Sequence, residues 1–184
     1  MVPRFDKLLV LDLDETLVFA NDRPLPDREA DFQVFGYHVY RRPGLQAFLA
    51  SAFDAFTVGV WTASSADYAH AVLARTTDVS RLRFVFARER CTMWSDPETR
   101  DRFRIKDIRK LRKLGFTKAQ ILFVDDSPEK LRRSYGNYVR AMPFEGDPTD
   151  DELPLLSRYL ETLGPVANVR TIEKRGWRRH LEPG

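Results

Sequence analysis

The sequence predicts an α/β fold with a mostly parallel central sheet and helices on both faces. Three observations carry this. First, five short, mostly apolar runs recur along the chain: 7–12 (KLLVLD), 56–61 (FTVGVW), 82–87 (LRFVFA), 121–125 (ILFVD) and 138–142 (YVRAM). Each has the length of a buried strand rather than a helix. Second, residues with helical spacing lie between them, Leu45, Phe48, Leu49 and Phe53 before the second run and Tyr68, Val72 and Leu73 after it. Strands alternating with helices build a parallel sheet. Third, the first run ends on Asp12 with Asp14 following, the fourth on Asp125 with Asp126 following, and the second just before Thr62. Polar groups thus collect at the carboxyl edge, where such sheets bind ligands.

The remaining elements follow in order. A polar stretch with Pro24 and Pro26 leads into 32–40 (FQVFGYHVY), whose partial alternation around Gly36 suits a hairpin or flap, so an insertion spans about 20–41. Arg42-Pro43-Gly44 punctuates the chain before the first helix. Ser64 or Ser65 caps the second helix. A polar loop, 88–103, contains Asp96-Pro97 and precedes a basic helix at about 105–114 that stops near Gly115. Ser127-Pro128-Glu129 opens a short helix. An amphipathic helix runs over 150–163, capped near Thr149, and a basic tail, about 165–184, is expected to be partly ordered through Trp177. No repeat or linker divides residues 1–184, so one domain is expected.

Composition narrows the function classes. Hydrophobic residues make up 43% and charged residues 31%, ordinary for a globular protein. No apolar run approaches the roughly 20 residues of a membrane span, and the N-terminus lacks the pattern of a signal peptide. The expected location is the cytoplasm, or the nucleus in a eukaryote. A single cysteine, Cys91, excludes an internal disulfide, and no Cys/His cluster suggests zinc. Net charge is +3, unevenly spread: 100–113 and 170–180 are basic and 145–152 is acidic. A basic face attracts phosphate esters, acidic peptides or nucleic acid, and is equally compatible with a plain solvated surface.

Asp12-Leu13-Asp14-Glu15-Thr16 is the sharpest chemical signal. Alternation along a strand turns Leu13 away and brings Asp14 back toward the side of Asp12. Two carboxylates in one place repel, and Asp125-Asp126 adds charge at a neighbouring strand end. An all-oxygen set selects a hard cation, magnesium before zinc. Magnesium would remove the repulsion between a phosphate monoester and an attacking carboxylate. Asp12 then serves as nucleophile and Asp14 as general acid and base. Two acids after a strand also suit a helix cap near Thr16. Thr62, with Ser64 beside it, can hold phosphate oxygens at a helix N-terminus or simply cap that helix. Lys106 can supply a fixed positive charge to a phosphoryl group, or be one of seven basic residues in 102–113 on a solvated face.

In type, order and strand context, DLDET, TAS, KD and DDSP resemble the four motifs of the haloacid dehalogenase superfamily over about residues 7–163. The stretches DLDETLV, RRPGLQAFL, VWTASSADYAHAVL, ARERC, FRIKDIRKL and ILFVDDSPEKL are similar to the small C-terminal-domain phosphatases, the NLI-interacting-factor-like family, which includes bacterial relatives and a mitochondrial import-receptor domain. The resemblance implies a magnesium-dependent aspartyl-phosphate mechanism. It implies Asp12 as nucleophile, Asp14 as acid and base with its backbone carbonyl on the metal, Thr62 and Lys106 as phosphate ligands, and Arg88 near the substrate, with Arg90 as the fallback. Asp126 stands where the eukaryotic enzymes usually have Asn, leaving open which of Asp125 and Asp126 touches the metal.

Only 49 residues separate Asp12 from Thr62 and 43 separate Thr62 from Lys106. Neither gap holds a cap domain, which starts at roughly 50 residues, so a capless, open site is expected. Its substrate would be a phosphorylated protein or peptide. The competing readings are a nucleic-acid end phosphatase, gripping a strand with 102–113 and 170–180, and a catalytically inactive peptide-binding module. Phe32, Phe35, Tyr37 and Tyr40 of the flap either shape an apolar groove or pack as core, with at least two expected in the core.

Overall fold

The protein is described by a computed structural model covering residues 2–95 and 100–181. In chain order its strands and α-helices are β1 (Leu8–Leu11), β2 (Val18–Asn21), β3 (Phe32–Val34), β4 (Tyr37–Arg41), α1 (Leu45–Ala55), β5 (Thr57–Trp61), α2 (Ala66–Thr76), β6 (Val85–Phe86), β7 (Thr92–Ser95), β8 (Arg102–Ile105), β9 (Ile121–Asp125), β10 (Tyr138–Arg140) and α3 (Glu152–Leu163). Asp96-Pro97 lies outside the described residues.

Five strands form one sheet in the order β10-β9-β1-β5-β6, every pair parallel. β1 is central because its LLVL run is apolar on both sides. Leu9 and Leu11 join the core under α1, α2 and α3, while Leu8 and Val10 join a second cluster with Trp61, Phe123 and Leu111. All four β1 residues are at most 1% exposed. Each such side chain contributes about 1.5–3 kcal/mol of burial. Helical segments therefore cover both faces, α-helices on one and 3-10 turns, Ile108–Leu114 and Pro128–Leu131, on the other. Gly59 of β5 lets the Phe84 ring lie against the strand, since a Cβ there would come within 2.4 Å of it.

The segment after β1 forms a separate antiparallel sheet in the order β2-β4-β3. Phe32 and Tyr40 are core residues, 9% and 0% exposed, whereas Phe35 and Tyr37 stand out at 69% and 44%. Ser65 caps α2, its hydroxyl accepting from the Tyr68 amide.

Two segments differ from the sequence reading. The expected basic helix at 105–114 is divided: Arg102–Ile105 pair antiparallel with Thr92–Ser95, and a 3-10 turn starts only at Ile108, capped by the Asp107 side chain. Thr149 does not cap α3. It hydrogen bonds to Asp147, and Asp151 holds the cap position. The tail packs as structure: Trp177 is 2% exposed, stacks on Tyr159 and donates from Nε1 to the Arg140 carbonyl. Among the described residues no helix is long and apolar enough to cross a membrane.

Candidate active site

Asp12 follows β1 directly, and its amide donates to the Val124 carbonyl of β9, which fixes it at the carboxyl edge. Its side chain is surrounded by charge. Lys106 Nζ lies 2.8 Å from Oδ1 and Lys130 Nζ 3.4 Å from Oδ2. Lys106 Nζ also meets Asp125 Oδ2 at 2.5 Å, and Lys106 and both carboxylates are 1% exposed. The Lys106 contact with Oδ1 is an ion pair off the direction of a hydrogen bond, so that buried oxygen keeps a free lone pair. Burial alone would push the Asp12 carboxyl up, but Lys106 and Lys130 outweigh it and hold Asp12 below its ordinary value. Asp125 goes the other way, pushed up to about 7 by burial and by the Asp12 charge.

Lys106 sits between the end of β8 and the 3-10 turn, not at the start of a helix. Its amide donates to the Lys130 carbonyl at 2.8 Å, which joins this segment to the turn after β9. Asp126 follows β9. Its Oδ2 accepts from Ser127 Oγ at 2.9 Å, and Asp125 Oδ1 accepts from the Ser127 amide at 2.9 Å. Carboxylate oxygens of Asp12, Asp125 and Asp126 all lie within 4.8 Å of one another. Both members of the second acid pair therefore face Asp12.

Asp14 belongs to a different environment. Leu13 between the two acids is buried in the core. The Asp14 carboxylate accepts from Ser64 Oγ at 2.6 Å, Thr62 Oγ1 at 3.3 Å and Tyr68 OH at 2.8 Å. Its carboxylate lies outside the cluster of Asp12, Asp125 and Asp126, and its oxygens are taken up by hydroxyls. Burial pushes the Asp14 carboxyl up, and the hydroxyl donors only partly offset this. Thr62 follows β5 with its amide on the Phe86 carbonyl, and its Oγ1 accepts from the Ser64 amide at 3.0 Å.

A groove of about 360 Å³ opens beside Asp14, lined by Phe19, Phe35, Tyr37, Tyr68 and Arg88 among others. Arg88 is held over it by Nε donating to the Ala63 carbonyl at 3.0 Å. Arg90 lies outside the groove lining, stacked on the Phe86 ring.

Three residues that contact or brace the site were not among the expected site residues. Lys130 carried a signal, a lysine within one turn of the Asp125-Asp126 pair. Tyr68 lay one turn into the helix that Ser65 caps, on the side of Ser64. Arg42 had none. Its buried guanidinium forms a bidentate pair with Asp150, both contacts 2.7 Å, and donates to the Thr16 carbonyl at 3.1 Å. It thereby braces the turn that holds Glu15 at φ 59, a left-handed conformation that costs about 1–2 kcal/mol for a non-glycine residue.

Residues 7–170 match the family model described as NLI interacting factor-like phosphatase. CTD small phosphatase-like protein 2 of Dictyostelium discoideum is 31% identical over 88% of this chain and 28% of its own length. Phosphatase Herzog of Drosophila melanogaster is 30% identical over 90% of this chain and 46% of its own length. The chain thus spans less than half the length of these two relatives. The solved structure of Fcp1, an RNA polymerase II CTD phosphatase, superposes with a TM-score of 0.64 at 18% identity, covering 90% of this chain and 69% of Fcp1. A haloacid dehalogenase-like hydrolase from Xanthomonas campestris gives 0.57 at 13% identity, covering 89% and 98%. At these identities the two structures show the shared fold.

Proposed function

The chain belongs to the NLI interacting factor-like phosphatase family, and on that premise we propose that it hydrolyses phosphate monoesters on proteins through an aspartyl phosphate at Asp12. The observation that carries the reading is the Asp12 carboxylate, 2% exposed, held ionised between two lysines at the carboxyl edge of the sheet.

A carboxylate oxygen of ionised Asp12 attacks phosphorus in line with the ester oxygen, and the P–O ester bond breaks. Asp14, held above its ordinary value by burial, gives its proton to the leaving oxygen. The Asp14 carboxylate next takes a proton from water, whose oxygen attacks phosphorus and releases Asp12 and inorganic phosphate. Lys106 stays fixed on Asp12 and Asp125 and balances charge as the phosphoryl group transfers. Thr62 and Ser64, whose hydroxyls donate to Asp14, orient it beside the phosphoryl group. Arg88, over the groove, meets the substrate chain.

The residues present fit a magnesium ion. Three oxygen-only ligands lie together, one lone pair on Asp12 is unused, and two lysines face three acids. Asp12, Asp125 and Asp126 would hold it, with the Asp14 backbone carbonyl. When bound, the ion supplies charge neutralisation between carboxylate and phosphoryl group.

An open groove with two exposed aromatic residues, Phe35 and Tyr37, favours a phosphorylated peptide chain over a small metabolite. Nucleic acid is disfavoured as substrate: Trp177, the aromatic residue of the basic tail, is inside the fold and cannot stack on bases. The reading places the protein with its phosphoprotein substrates, in cytoplasm or nucleus. The test is hydrolysis of p-nitrophenyl phosphate with magnesium and after chelation, then of a phosphopeptide against a 3′-phosphorylated oligonucleotide. Turnover that needs the metal and prefers the peptide is expected. A folded protein with no turnover in either condition would remove the enzyme reading in favour of a peptide-binding module.

A further inference from the structure

Two lysines reach the same carboxylate and hold it ionised, and the reaction above gives only Lys106 a part in the phosphoryl transfer. Lys106 is buried between two carboxylates, at 2.8 and 2.5 Å, and 1% exposed. Lys130 approaches the other oxygen at 3.4 Å, and its side chain is 24% exposed. Charge-assisted hydrogen bonds of this kind run about 2.7–2.9 Å, so Lys130 is loosely held, and an ammonium group carries three donors. Its backbone is the opposite of loose. It lies on the 3-10 turn opened by Pro128, with its amide on the Ser127 carbonyl at 3.2 Å and its own carbonyl accepting from the Lys106 amide at 2.8 Å. The base of the side chain is fixed and its tip is free to shift at the solvent side of Asp12.

We propose that Lys130 is a second phosphate-binding cation, its Nζ donating to a non-bridging oxygen of the phosphoryl group as that group docks on Asp12. This rests on the phosphatase reading of the same site. Lys106 is locked beneath the nucleophile and sets its charge. Lys130, on the open side, meets the arriving dianion, which Lys106 alone, shared between two buried acids, would leave under-compensated. No bond is made or broken at Lys130. It binds the phosphoryl group in ground state and product alike, so its loss raises KM and weakens phosphate more than it lowers kcat.

The experiment measures inorganic phosphate binding by calorimetry, with millimolar magnesium and without it, in the wild type, Lys130→Met and Lys130→Arg. Steady-state p-nitrophenyl phosphate kinetics accompany it. Loss of one charge-assisted hydrogen bond predicts phosphate binding about 10- to 100-fold weaker in Lys130→Met, with most of it restored in Lys130→Arg. Should Lys130→Met melt early, Lys130→Gln takes its place in the same titration. Unchanged phosphate affinity with tighter magnesium binding would overturn the proposal and leave Lys130 as a neutraliser of the acid cluster. Wild-type turnover with that result keeps the phosphatase reading. Lys130-dependent phosphate binding without turnover keeps the cation site and removes the phosphatase reading.

Discussion

Asp12 and Asp14 are the same residue type two positions apart, yet the fold gives them opposite surroundings. Asp12 lies on a floor of charge, with Lys106 and Lys130 on its two oxygens and two further acids beside it. Asp14 lies in a bay of hydroxyls, Thr62, Ser64 and Tyr68, among its hydrogen-bond partners. Both are taken out of water. Cations outweigh the desolvation of Asp12 and depress its proton affinity, whereas neutral donors leave that of Asp14 raised. Two carboxyls driven apart in this way divide a nucleophile from a proton donor. Those are the roles expected from the sequence, and the partners that favour them come from the ends of β5 and β8, from the start of α2 and from the turn after β9.

The contrast can be broken first at Asp12. Asp12→Asn keeps the shape and removes the charge, and kcat should fall by roughly 10⁴-fold or more while thermal unfolding stays cooperative. Residual turnover near the wild-type level would put the nucleophile elsewhere. Asp14→Asn should cost alkyl phosphates about 10²–10⁴-fold and p-nitrophenyl phosphate far less, because an aryl leaving group needs little protonation. Equal losses on both esters would contradict the acid role.

The floor and the bay share one brace, which Arg42→Ala should remove. Breaking a buried ion pair from one side costs about 3–5 kcal/mol, read as a lower denaturation midpoint, and Asp150→Ala should cost at least as much because it leaves the fully buried Arg42 guanidinium without its counter-charge. The smallest effect sharpens the bay. Tyr68 donates to Asp14 and favours its ionised form, so Tyr68→Phe should raise the Asp14 pKa further. The alkaline limb of the rate profile, where the acid loses its proton, then moves to higher pH. A limb moving to lower pH would show that Asp14 is not the group that titrates there.

The parallel sheet and the order of its polar strand ends were legible because buried strands must be apolar and close to their lengths. Asp12, Thr62, Asp125 and Asp126 all follow from that geometry. The β7–β8 hairpin was hidden although Arg102, Phe103, Arg104 and Ile105 do alternate. The basic residues that continue to Lys113 gave the same segment a helical reading, and only pairing with Thr92–Ser95 decides between them. The environment of Asp14 could not be read at all, since Tyr68 stands 54 positions away. Arg42 and Asp150 are separated by 108 positions, and neither residue type is expected inside a core until the partner is known.

Borohydride trapping tests the division between the two acids most directly. The protein is mixed with p-nitrophenyl phosphate and magnesium, quenched in acid, reduced, and digested for mass spectrometry. An aspartyl phosphate is reduced to homoserine, and the account predicts homoserine at position 12 with Asp14 intact. Homoserine at position 14, or steady turnover with none at either position, would contradict it.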